Sequence, residues 1–144
     1  MRLFPLVLIL ALTGCSANGS GDAGRFPPLD TMKTFTAASQ LKGNYRVAGI
    51  DGTEFTSLHD GFEVTISGDK IEVRGNCTSN GWSYRFDGAK LVTAVIEGPT
   101  CRRAVTDEEA ALGRVFAGAV KASPTPWDGI MIEGTGGTVT LVVD

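Results

Sequence analysis

Beyond residue 41, apolar and polar residues alternate in short runs separated by glycine. Phe62-Glu63-Val64-Thr65-Ile66 and Ile71-Glu72-Val73-Arg74 each place their apolar residues on one face, the period of a half-buried β-strand. Gly68-Asp69 between them is a two-residue hairpin loop. That loop sets Ile66 opposite Ile71 and Val64 opposite Val73. Trp82, Tyr84 and Phe86 share a face, with Ser83 and Arg85 on the other. Asp87-Gly88 turns the chain into a returning strand over Leu91–Ile96. Leu41–Ile50 reads as the first strand, closed by Asp51-Gly52. At the end, Ile130–Glu133 and Val139–Val143 flank Thr-Gly-Gly, and a Gly136-Gly137 turn would pair Ile132 with Leu141 and Ile130 with Val143.

One segment changes period. Thr106-Asp107-Glu108-Glu109 has the form of a capping box, with Thr106 at N-cap and Glu109 at N3. Leu112, Val115, Phe116, Ala119 and Val120 follow at helical spacing as one apolar stripe. The helix is expected to end near Lys121–Ala122, ahead of Pro124 and Pro126. The pattern predicts an α+β fold: an antiparallel β meander forming a partly open barrel or roll, with one packed helix.

The chain's 144 residues suit one domain. The N-terminus divides that length further. Arg2 precedes the apolar run Leu3–Leu12, which is shorter than the ~20 residues that span a bilayer and reads as a signal peptide. Leu12-Thr13-Gly14-Cys15 resembles the bacterial lipobox, which implies cleavage before Cys15 and lipidation of its thiol. Ser16 resembles outer-membrane sorting at the next position. The expected division is therefore 1–14 signal peptide, 15–40 lipidated Cys15 and flexible tether, and 41–144 the folded domain. A coil of that tether's length reaches roughly 25–30 Å, and Phe26, Leu29, Met32 and Phe35 are apolar enough for part of it to dock. The expected location is the cell envelope, lipid-anchored through Cys15 at the outer membrane and facing the periplasm.

Net charge −3, with Lys and Arg scattered singly except at Arg102-Arg103, argues against a nucleic-acid partner. With Cys15 lipidated, Cys77 and Cys101 remain. An oxidising compartment favours a disulfide between them, worth roughly 3–3.5 kcal/mol by loop-closure entropy. The alternatives are a reactive thiol and a zinc site. Both would need the single histidine, His59, which has no close spacing to either cysteine. Glu108 and Glu109 read as cap and dipole residues rather than a catalytic pair. Arg102-Arg103 reads as a solvated face, with an anion-binding patch as its alternative. Trp82, Tyr84, Phe86 and Trp127 are candidates either for the core or for the lining of a ligand cavity. The residues suggest no catalytic set, no metal site and no cofactor; the expectation is a protein that is not an enzyme.

Several stretches together resemble the META domain (HslJ-like) family. They are I-E-V-R-G-N-C-T-S-N-G-W-S-Y-R-F-D-G-A-K-L, E-G-P-T-C, D-E-E-A-A-L-G-R-V-F and I-M-I-E-G-T-G-G-T-V-T-L, with L-K-G-N-Y-R-V-A-G-I-D-G as the opening strand. The resemblance covers Leu41–Val143. It departs from the family at Asn76-Cys77-Thr78, where the family has Gly-Cys-Asn, and at Thr100, which directly precedes Cys101. It implies a non-enzymatic envelope protein linked to envelope maintenance or heat and envelope stress, acting through protein contacts. The other expectations are a small-ligand or lipid carrier using the barrel interior, and an inhibitor or chaperone of a periplasmic enzyme.

Overall fold

The computed structural model describes residues 33–54, 61–75, 79–99 and 102–144. Its strands are β1 (Gly43–Ile50), β2 (Thr53–Glu54), β3 (Glu63–Ser67), β4 (Lys70–Arg74), β5 (Ser79–Asp87) and β6 (Lys90–Ile96). A helix, α1 (Asp107–Ala117), precedes β7 (Ala119–Pro124), β8 (Ile130–Gly134) and β9 (Gly137–Val143). All pairings are antiparallel and follow the order β6-β5-β4-β3-β1-β9-β8-β7, with β2 added to β1. β6 and β7 come alongside each other without a ladder between them. The result is a nearly closed barrel with one helix, the architecture that the alternation predicts.

The β3–β4 hairpin has the predicted register, Ile66 opposite Ile71 and Val64 opposite Val73, and all four side chains face the core. Asp51 and Gly52 both take positive φ and join β1 to β2, as a tight hairpin turn requires. β1 carries a bulge between Val47 and Gly49. Before it Tyr45 and Val47 point inward, and after it Ile50 does, so the extra residue reverses the phase of the strand.

Two expectations need correction. The last hairpin turns at Thr135-Gly136, with Gly134 opposite Gly137, so Ile130 pairs with Leu141 and Ile132 with Val139. The register therefore differs by two residues from the one the Gly136-Gly137 turn implied, and every side chain stays on its expected face. Packing against α1 selects this turn. A Cβ on Gly136 would lie 1.9 Å from the Arg114 carbonyl oxygen, and the Thr135 N–H donates to the Gly118 carbonyl at 3.0 Å. The helix also ends at Ala117, not near Lys121–Ala122. Gly118 interrupts it, and residues 119–124 pair with β8 as an additional strand. Ala119 is buried as the stripe requires, but as a strand residue, and Val120 is exposed.

The helix start agrees with expectation. Thr106 Oγ1 accepts from the Glu109 N–H at 3.2 Å, and Glu109 Oε2 accepts from the Thr106 N–H at 3.0 Å. Glu109 does more than cap. Its carboxylate is buried and takes both arms of the Arg103 guanidinium, at 2.6 and 2.9 Å. Arg103 is thus an ion-pair partner rather than part of a purely solvated face. Hydrogen bonding to Glu109 holds its pKa above the ordinary range.

The interior is packed. Leu112, Val115 and Phe116 of α1 meet the strands from inside, and the helix touches β1, β5, β6, β8 and β9. The Thr93 hydroxyl of β6 donates to the Phe116 carbonyl at 2.7 Å. The lead-in before β1 also belongs to the fold. Phe35 and Ala38 pack on the core, and Leu41 is fully buried. The Phe35 N–H donates to the Ala122 carbonyl of β7 at 2.8 Å. Two buried phenols hold the same segment: Tyr45 donates to the Leu41 carbonyl at 2.9 Å and Tyr84 to that of Ala38 at 3.3 Å. Burial raises the pKa of both above the ordinary tyrosine value, and for Tyr84 the charge of Asp69 adds to the shift.

Candidate functional site: a groove on the outer face

A groove of about 760 Å³ runs over the outer face of β1 and β9. Strand alternation supplies its floor. Because Tyr45, Val47, Val139 and Leu141 face the core, Arg46, Thr140, Val142 and Asp144 face outward. Arg46 and Asp144 form an ion pair at 2.5 Å. Thr53 and Glu54 of β2 line the groove from one element and Trp127 of the β7–β8 loop from another. Asp51 secures the β2 arm: its carboxylate accepts from the Thr138 N–H at 2.8 Å, and its own N–H donates to the Thr138 carbonyl at 2.9 Å.

The loop that carries Trp127 is tightly held. The Thr125 N–H donates to the Gly129 carbonyl at 2.9 Å, and the Gly129 N–H donates to Thr125 Oγ1 at 3.0 Å. Gly129 lies directly against β9, where a Cβ would come 2.2 Å from the Leu141 carbonyl oxygen. The indole at the tip is 62% exposed.

The residues singled out in the sequence fall in different places. Trp82 and Tyr84 are buried on the inner face, Trp82 against Phe116 with ring centroids 5.0 Å apart. Phe86 meets Tyr84 edge-on at 6.3 Å. Of the four candidate aromatics the groove holds Trp127 alone. Cys15, Cys77, Cys101 and His59 lie outside the described residues, and so do the lipidation and disulfide expectations. Among the described residues, no three His, Cys, Asp or Glu side chains come together as a metal site, and no helix is long and apolar enough to cross a membrane.

Sequence reasoning did not find the groove. Arg46 and Asp144 are at opposite ends of the domain, and only the pairing of β1 with β9 joins them. The available signal was Trp127 itself, a large aromatic set among the turn-formers Pro126, Asp128 and Gly129. Comparison with family models, with curated proteins and with solved structures returned no match.

Proposed function

We propose that this chain is a non-enzymatic, lipid-anchored cell-envelope protein of the META type. In this reading it serves envelope maintenance or the response to heat and envelope stress by binding an envelope component on its outer face. The supporting observation is the contrast between the two sides of the sheet. The inner side is filled by Phe116, Leu112, Ile66, Ile71 and Leu91, whereas the outer side carries an open groove with an exposed tryptophan. A packed interior favours contact at the surface over carriage of a ligand inside.

The test is site-specific crosslinking in the envelope. A photoreactive side chain at Val142, in the groove, is compared with one at Thr65, which is exposed on β3. Adducts from position 142 that are absent from position 65 support the reading. Identical patterns from both, or native mass spectra of the mature chain carrying a stoichiometric lipid besides its anchor, refute it. The same spectra test the anchor: Cys15→Ser abolishes the diacylglycerol mass and releases the chain from the membrane fraction. A two-hydrogen gain on reduction marks the Cys77–Cys101 disulfide.

A further inference from the structure

We propose that the outer groove binds a neutral glycan chain, with Trp127 as its stacking platform. The proposal rests on the reading of this groove as the contact face and adds the chemistry of what it contacts.

The exposure of Trp127 is built into the fold. Two hydrogen bonds between Thr125 and Gly129, the seating of Gly129 on the Leu141 carbonyl, and the positive φ of Asp128 fix the tip that presents the indole. The indole is 62% exposed, and an aromatic ring carries a negative π face. The C–H face of a pyranose ring is weakly positive and flat enough to lie on it.

The floor supplies what hydroxyl groups need. Each hydroxyl both donates and accepts. Arg46 and Asp144, paired side by side, present guanidinium donors next to carboxylate acceptors. Glu54, Thr53 and Thr140 add further polar groups, and Val142 gives an apolar step between them. The volume is within the range that takes a drug-sized ligand, which suits an oligosaccharide better than a single sugar.

Two other ligand classes fit less well. A peptide adding itself as a strand needs a free backbone edge. β1 is paired with β9 on one side and with β3 and β2 on the other, and β9 is paired with β1 and β8. An anionic ligand needs uncompensated positive charge. Here Arg46 is matched by Asp144, and Glu54 adds a further negative group.

The experiment titrates the full mature chain in detergent with a hexamer of β-1,4-linked N-acetylglucosamine and follows tryptophan emission. Trp82 is buried, so a saturable blue shift reports on Trp127. Trp127→Ala is expected to weaken binding at least tenfold while its circular dichroism and melting stay unchanged. Arg46→Met is expected to weaken it several-fold. A wild-type chain without a saturable response overturns the proposal, as does a Trp127→Ala variant that binds like wild type. Groove-specific protein adducts from position 142 without a sugar response overturn the glycan and leave the contact reading standing. Neither adducts nor a sugar response overturns both.

Discussion

Replacing Trp82 by phenylalanine tests the energetic account of the core, because two opposed effects meet at one side chain. The indole is 3% exposed and stacks on Phe116, yet its Nε1–H has no hydrogen-bond acceptor among the described residues. A buried donor left unpaired costs about 1–3 kcal/mol. Trp82→Phe removes that donor and keeps an aromatic ring against Phe116. The smaller ring leaves at most about 40 Å³ unfilled, which at ~24 cal/mol per Å³ costs about 1 kcal/mol, and the lost apolar area costs a similar amount. The gain and the losses nearly cancel, so the variant is expected within about 1 kcal/mol of wild type. Phe116→Ala, on the other side of the same ring contact, has no such compensation and is expected to lose about 3–5 kcal/mol. Urea denaturation followed by far-ultraviolet circular dichroism compares the two, and an unchanged m-value keeps the comparison valid. A Trp82→Phe variant as unstable as Phe116→Ala would refute the argument, because it would mean that the indole N–H contributes a favourable interaction.

Three further outcomes follow from the same structure. Thr106→Ala removes the side-chain acceptor for the Glu109 N–H and is expected to cost about 1 kcal/mol, several times the cost of Glu108→Ala, read by chemical denaturation. Gly136→Ala forces a methyl group against the Arg114 carbonyl and is expected to cost about 1–3 kcal/mol, with faster amide exchange at the end of α1 and the tip of the β8–β9 hairpin. Alkaline pH is expected to destabilise the fold. Tyr45 and Tyr84 have raised folded-state pKa values, so above pH ~10 the unfolded chain loses phenolic protons that the folded chain keeps. Stability is then complete below that pH and falls as pH rises through the folded values. Thermal melts from pH 8 to 11.5 check this, and Tyr45→Phe/Tyr84→Phe should flatten the decline.

The parts of the fold legible in the sequence are those that local chemistry decides. Gly68-Asp69 between two alternating runs gave a hairpin correct to the residue, and Thr106 with Glu109 gave the helix start. What the sequence left open was decided by packing at a distance. Ala119–Pro124 has few good strand formers, and its Ala119 continues the helical stripe; Gly118 was a local sign that the helix stops, but only pairing with β8 makes the residues after it a strand. Thr135-Gly136-Gly137 allows two turns, and contact with Gly118 and Arg114 chooses between them. The lead-in carries no periodicity, although Phe35 was a visible hint that it docks. The groove was the least legible feature, because outward-facing positions on β1 and β9 and a tryptophan on a separate loop have no common signal along the chain.

The adjacency of β1 and β9 also bears on how the chain must fold. β1 forms early in the sequence but receives one of its two long neighbours from the last strand. Closing that pairing spans nearly the whole domain, and such non-local contacts carry a loop-closure cost that slows folding. Until β9 is available, both β1 and β8 present bare edges. Completion of the fold therefore waits for β9. A chain that emerges N-terminus first would stay unlocked until residues 137–143 arrive.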